Sequence, residues 1–256
     1  METPVLGTPA LETVGLRKLF GGLVATNDVS VRLERGARQA LIGPNGAGKT
    51  TLINLLTGVL SPTAGRITLD GVDITHLGRD ERVRRGLVRT FQINQLFPAL
   101  TPLQSVGLAV SRRLGVAGQF WRRVGTDPRV VDESVAILER YRLLDVMSAR
   151  TASLPYGRQR LLEIAVAVAC GPRVLLLDEP AAGVPEGERD EILAGIAALP
   201  ADVTVLLIEH DMDLVFRFAS RISVLVNGGI LTQGSVAEIA ADPAVRAVYL
   251  GTAGHG

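Results

Sequence analysis

The sequence predicts an α/β fold in which parallel β-α-β units carry one long, mainly helical insertion. Apolar runs at Val174–Leu177, Val203–Ile208 and Ile222–Val226 recur with helix-length segments between them, as parallel units require. Gln39–Ile42 is a short buried strand that runs straight into a glycine-rich loop and then a helical stripe of Leu52, Leu55, Leu56 and Val59. From about residue 95 to residue 168 the strand signals give way to helical ones, so this segment reads as the insertion.

The elements follow in order. Thr13–Phe20 and Val29–Leu33 alternate as strands do, with Gly21-Gly22 as a turn signal between them. Gly58 marks the end of the first long helix, and Ile67–Leu69 is a further strand. Thr101-Pro102-Leu103-Gln104 is a capping box with proline at the first helical position. Asp127-Pro128 opens a second inserted helix with Val131, Val135, Leu138 and Tyr141 on one face. A third follows Gly157, its stripe formed by Leu161, Ile164, Ala165 and Val168. Asn227-Gly228-Gly229 turns the chain into Ile230–Thr232, and Ser235–Glu238 is a last capping box. With no internal repeat or low-complexity linker, residues 12–251 read as one domain with an insert, behind a loose tail of residues 1–11.

Composition narrows the function classes. The 256 residues are 47% apolar but only 4% aromatic, so Val, Leu, Ile and Ala must build the core. Lys and Arg number 27 against 26 Asp and Glu, which gives no electrostatic reason to bind nucleic acid or an anionic membrane. Cys170, the single cysteine, allows no internal disulfide and reads as a small buried hydrophobe. His76, His210 and His255 lack metal-ligand spacing, so no structural zinc is expected. The N-terminus lacks a secretory pattern. Leu161–Cys170, the most apolar stretch, is far shorter than the roughly 20 residues of a membrane span. Phe120-Trp121-Arg122-Arg123 reads as an irregular surface loop, the alternative being a segment near lipid or a membrane subunit.

Gly43-Pro44-Asn45-Gly46-Ala47-Gly48-Lys49-Thr50 fits G-x-x-x-x-G-K-[ST] and stands between a strand and a helix. Glycine lets the backbone curl until successive N–H groups face inward, and the helix adds its positive end. Lys49 would reach the β- and γ-phosphates of a nucleotide, the Thr50 hydroxyl would ligate Mg²⁺, and Thr51 would add a phosphate contact. Val174–Leu177 then delivers Asp178 and Glu179, with Pro180 stopping the strand. Asp178 would hold a Mg²⁺-bound water, and Glu179, pointing elsewhere, could polarise the attacking water as a general base. Paired acids argue for hydrolysis rather than transfer to a metabolite.

Further segments give the chain its resemblance to the ABC ATPases. Gln92, in Arg89-Thr90-Phe91-Gln92, matches the glutamine that opens the helical insert in that family. Leu154-Pro155-Tyr156-Gly157 occupies the place of the signature motif, His210 matches the switch histidine, and Phe20 matches the aromatic that stacks on adenine. The resemblance holds from about Thr13 to Leu250. It implies the ABC ATPase fold: a P-loop NTPase core with a parallel sheet, an N-terminal antiparallel β subdomain and an inserted helical subdomain. It also implies ATP and Mg²⁺ as cofactors, with Gln92 sensing the metal and the attacking water and His210 holding the γ-phosphate. Two such ATPases, identical or different, would pack head to tail, each nucleotide lying against the partner's signature at Leu154, Tyr156 and Gly157. Transmembrane permease subunits would dock near the helical insert on the cytoplasmic side.

Two positions depart from the family pattern. Pro155 replaces the signature serine, and Pro185, in Ala181-Ala182-Gly183-Val184-Pro185, stands where many relatives carry an acidic or amide residue. Phe20–Ala25, Arg89–Gln92, Leu154–Gly157 and Asp242-Pro243-Ala244-Val245 resemble the branch that imports branched-chain and other hydrophobic amino acids, fed by a periplasmic or extracellular solute-binding protein. Urea or short amides remain alternative solutes, since the ATPase does not touch its cargo. A soluble ABC-type ATPase acting on nucleic acid or ribosomes would need a coiled-coil insert, a second ATPase domain or a basic surface. A small-molecule kinase would leave the LPYG segment and His210 unexplained.

Overall fold

A computed structural model describes residues 7–90, 96–116 and 127–250. The chain divides into two compact units. The first takes the described residues up to Leu87, Arg173–Leu177 and the described residues from Ala201 on. The second takes those of Val88–Pro172 together with Asp178–Pro200.

Two sheets form. Strands β1 (Leu11–Phe20), β2 (Leu23–Leu33), β4 (Ala64–Leu69) and β5 (Val72–Asp73) make an antiparallel sheet in the order β2-β1-β4-β5. Strands β3 (Arg38–Ile42), β6 (Leu87–Arg89), β7 (Val174–Asp178), β8 (Thr204–Ile208), β9 (Arg221–Val226) and β10 (Gly229–Ser235) make the other, in the order β10-β9-β3-β8-β7-β6. Here β3 runs parallel to both β8 and β9, while β10 returns antiparallel to β9. The predicted parallel core is therefore a mixed sheet, because the tight Asn227-Gly228 turn can only fold the chain back on itself. All five residues of β7 and of β8 are buried, which suits strands covered on both faces.

Leu16, Val29, Leu41, Leu52, Leu55, Ile67, Val174, Leu176, Leu206 and Leu225 belong to one core of the first unit. Helix α1 (Lys49–Leu56) buries Leu52, Ile53, Leu55 and Leu56 in it. The predicted stripe went one residue too far: Val59 lies beyond the helix and is exposed. The expected tail of residues 1–11 is also too long, since Pro9 and Ala10 are buried and the Ala10 N–H bonds the Leu33 carbonyl at 2.8 Å.

Helix α2 (Arg79–Arg84) contributes a fully buried cation, Arg82. Its Nη1 donates to the carbonyls of Leu55 and Leu56 at 2.7 and 2.6 Å, its Nε to Leu77 at 2.9 Å and its Nη2 to Thr75 at 2.9 Å. Burial pulls its pKa down to about 10, so it stays charged at neutral pH. The charge sits at the negative end of α1, where the last carbonyls lack helical partners.

In the second unit, helices α3 (Pro102–Arg113), α4 (Pro128–Arg140), α5 (Tyr156–Ala169) and α6 (Glu186–Ala197) pack together. Thr101 and Gln104 form the predicted capping box, and Asp127 caps α4 through the Arg129 N–H. The buried face of α4 is Val130, Ser134, Ile137 and Leu138; of the predicted stripe Leu138 and Tyr141 are buried, while Val131 and Val135 are half-buried. Ser134 can be core because its hydroxyl donates back to the Val130 carbonyl at 2.6 Å. At Gly195 a Cβ would stand 2.6 Å from Leu161, so α6 approaches α5 closely and joins the helical unit. The insertion expected at 95–168 thus becomes 88–172 plus a returning piece, 178–200. Cys170 is half-buried, and burial raises its thiol pKa, which disfavours the thiolate. The last helices, α7 (Met212–Phe218), α8 (Val236–Ala241) and α9 (Pro243–Leu250), follow β8 and β10, and Ser235 with Glu238 completes the second predicted box. Among the described residues no helix is long and apolar enough to cross a membrane.

Replacing Arg82 by Leu would remove a donor from four carbonyls, among them those of Leu56 and Thr75 in buried surroundings. Urea denaturation of Arg82→Leu is expected to show a loss of about 2–4 kcal/mol.

Candidate nucleotide site

Parallel pairing sets the position of the glycine-rich loop. Leu41 lies opposite Ile208, so β3 and β8 end at one edge of the sheet. Gly43 and the loop leave that edge from β3; Glu209 and His210 leave it from β8.

The loop is shaped by contacts that only glycine permits. A Cβ on Gly43 would stand 2.2 Å from the Leu225 carbonyl oxygen, and one on Gly48 would stand 2.6 Å from that of Ala25. Gly46 and Gly48 also have φ of 79° and 102°, a region costly for other residues. The Gly228 N–H donates to the Ala47 carbonyl at 2.9 Å, and the Asn27 N–H donates to that of Gly228 at 2.7 Å. One chain of bonds thus ties the loop to the β9–β10 turn and to β2.

Helix α1 begins at Lys49 with no side-chain cap and no acid in its first turn. Its leading N–H groups and dipole are therefore directed at whatever anion the loop holds. Lys49 Nζ donates to its own loop, to the Gly43 carbonyl at 2.5 Å and that of Pro44 at 3.1 Å. A phosphate oxygen carries full charge and would outcompete these neutral acceptors. Asn45, Gly46 and Thr50 are exposed, Thr51 is half-buried, and no atom lies within 4 Å of where a Gly46 Cβ would be. Ammonium, hydroxyls and amides over an open face fit a triphosphate with a hard divalent cation.

Phe20 stands at the β1–β2 hairpin, paired with Leu23, and both are exposed. Lys18 Nζ lies 5.2 Å from its ring centroid. Ala25, which touches Gly48, is five residues on, so the aromatic face and the loop share one scaffold. His210 is also exposed, but its backbone is held from both sides. The buried Glu209 carboxylate accepts the N–H groups of His210 and Asp211 at 3.0 and 3.4 Å, and Asp211 caps α7 through Asp213 and Leu214. Nothing in the sequence pattern marked Glu209, since a carboxylate turned back on its own strand end looks like any polar terminus.

Asp178, Glu179 and the Leu154–Gly157 segment lie in the second unit. Asp178 is buried; its N–H bonds the Thr90 hydroxyl at 3.3 Å, and its carboxylate pairs with the Arg89 guanidinium. Arg89 also escaped the sequence reading, because β6 has only three residues and shows no periodicity. Glu179 follows with φ of 46°, in the left-handed region, and its carbonyl accepts the Ala182 N–H at 3.0 Å. That bend takes its side chain off the strand's alternation, at a cost of about 1–2 kcal/mol. Leu154 is buried, while Tyr156 is exposed and bonds the Ala182 carbonyl at 3.2 Å. Gly157 was expected just before α5; it lies inside the first turn, which starts at Tyr156. Gln92, Phe91 and the segment Phe120–Arg123 lie outside the described residues.

A family model described as "ABC transporter" matches residues 26–182, and one described as "Branched-chain amino acid ATP-binding cassette transporter" matches residues 230–255. This chain belongs to the ABC transporter family. The BraF protein of Pseudomonas aeruginosa, a "high-affinity branched-chain amino acid transport ATP-binding protein", is 41% identical over 97% of this chain and all of its own length. LivG of Escherichia coli K12, described in the same words, is 39% identical with the same coverage. A crystallised ATP-binding cassette of an ABC transporter in its ADP conformation superposes with a TM-score of 0.83 at 31% identity, over 95% of this chain and 99% of the other. A nucleotide-free cassette gives 0.81 at 30%, over 94% and 98%. The ABC ATPase fold expected from the sequence is the fold found, and the chain is an ATP-hydrolysing transporter subunit.

Gly43→Ala would drive a methyl group into the Leu225 carbonyl. Strain of about 1–3 kcal/mol is expected, read as a loss of about tenfold or more in affinity for a fluorescent ATP analogue. Glu179→Gly relieves the left-handed bend, so its thermal midpoint is expected to be no lower than the parent's.

Proposed function

We propose that this ABC ATPase drives uptake of branched-chain or other hydrophobic amino acids, working at the cytoplasmic face of a membrane to which it is bound peripherally. The observation that carries ATP chemistry is the curled loop with Lys49 and an uncapped α1 behind it. The solute class is supported by the names of the full-length relatives and by the C-terminal match. Import of urea or short amides, or action on nucleic acid or ribosomes, finds no support among these relatives.

The roles follow from chemistry. Lys49 leaves the carbonyls of Gly43 and Pro44 for the β- and γ-phosphates, while loop amides and the Thr51 hydroxyl take up remaining oxygens. Phe20 stacks on the adenine. Mg²⁺, when bound, neutralises phosphate charge; Thr50 and Gln92 would hold it, with Asp178 acting through a water. Glu179 orients and polarises the attacking water as general base, and His210 steadies the γ-phosphate. The start of α5 at Leu154, Tyr156 and Gly157 faces the nucleotide of a second ABC ATPase, alike or different. Permease subunits transmit the closure outward to a solute-binding protein.

Lys49→Ala is expected to lose most nucleotide affinity; unchanged titration with a fluorescent ATP analogue would remove the loop from binding. Glu179→Gln should trap ATP and prolong association of the paired ATPases, whereas wild-type turnover would take Glu179 out of catalysis. A membrane pull-down should recover two hydrophobic subunits and a second ATPase, and recovery of a ribosome or nucleic acid instead would refute the transport role.

A further inference from the structure

The two departures from the family pattern, Pro155 and Pro185, turn out to hold the same place in two neighbouring helices. Pro155 is the N-cap of α5 and Pro185 is the N-cap of α6. Each removes a different half of an ordinary helix start. Pro155 has no side-chain oxygen, so it cannot accept from the first-turn N–H groups of α5, and α5 carries no acid in that turn. Pro185 has no N–H, so the acid three residues into α6 has no N-cap donor to reach back to.

That acid is Glu188. Elsewhere the same chain shows what such a residue does when the donor exists: Gln104 bonds the Thr101 N–H at 2.9 Å, and Glu238 bonds that of Ser235 at 2.7 Å. Glu188 instead reaches across to the other helix. Its Oε2 accepts the Gly157 N–H at 3.1 Å. Gly157 makes room for it, because a Cβ there would stand 2.3 Å from that same oxygen. Tyr156 adds a second tie from the start of α5 to the turn before α6, through the Ala182 carbonyl.

We infer that Glu188 is a positioning residue for ATP hydrolysis: its carboxylate caps the signature helix in place of the missing serine and holds the spot to which the partner-bound γ-phosphate must come. This rests on the proposed role of Tyr156 and Gly157 toward the partner's nucleotide. One amide and one helix dipole cannot serve two anions at full strength. Approach of the phosphate therefore displaces Glu188 or works against its charge. Because Glu188 is carried by α6, directly after the Ala181–Pro185 turn, that displacement couples the signature of one site to the segment following Asp178 and Glu179 of the same chain.

Thermal melts of the full chain test the cap. Glu188→Ala should lower the midpoint by about 2–4 °C. In a Pro155→Ser background, where a hydroxyl can cap α5 from a backbone already at φ −52° and ψ 150°, the same change should cost less than about 1 °C. Equal losses in both backgrounds would overturn the compensation. ATP titration of turnover in the assembled transporter tests the charge. Glu188→Gln keeps an acceptor and removes the charge, so KM for ATP should fall about two- to fivefold with the melting midpoint unmoved. An unchanged KM would overturn the phosphate competition. Tyr156→Asp separates this from the underlying reading: an acid at the first helical position favours the helix but should abolish turnover by facing the partner's phosphate. If that variant turns over normally, the signature role itself fails, and the melts still report the cap.

Discussion

At Gly43 and Gly48 main chain rests directly on main chain, against the carbonyls of Leu225 and Ala25. The curl of the loop, the direction of the α1 amides and the reach of Lys49 all depend on those two contacts. A single methyl group at either place would push the loop off strands β9 or β2, and the anion nest would open. The Asn27–Gly228–Ala47 bonds then fix what the glycines allow. Arg82 braces the opposite end of α1, where its positive charge meets the last carbonyls and the negative end of the helix dipole.

The acids at the end of β7 are held in a different way. Asp178 closes a strand whose four preceding side chains are fully buried, each contributing about 1.5–3 kcal/mol. That anchorage exceeds the cost of the left-handed bend at Glu179. The Asp178 carboxylate is paired with Arg89 there, and the left-handed bend falls on the next residue, Glu179.

Apart from α1 and α2, which start after glycine, the helix starts among the described residues divide into two kinds. Those at Thr101, Asp127, Asp211 and Ser235 are capped by the residue in place, and local sequence suffices to make them. Those at Pro155 and Pro185 are not, and the second unit joins them through Glu188. The prolines at these two starts had looked like isolated losses; in the fold they are complementary.

The sequence by itself determined what depends on neighbours along the chain. The loop motif, the acidic strand end, both capping boxes and the main strands were legible because glycine geometry, capping and burial act over a few residues. The family fold was legible from the order of those motifs. The tertiary structure alone decided the rest. It assigned 178–200 to the helical unit, put Val130 rather than Val131 on the buried face of α4, and set an antiparallel strand at the edge of the sheet. It also brought Arg89 to Asp178, Glu209 to its own strand end and Glu188 to Gly157. Such pairings join residues up to 89 positions apart, and a charge's partner depends on which backbone groups the fold leaves without one.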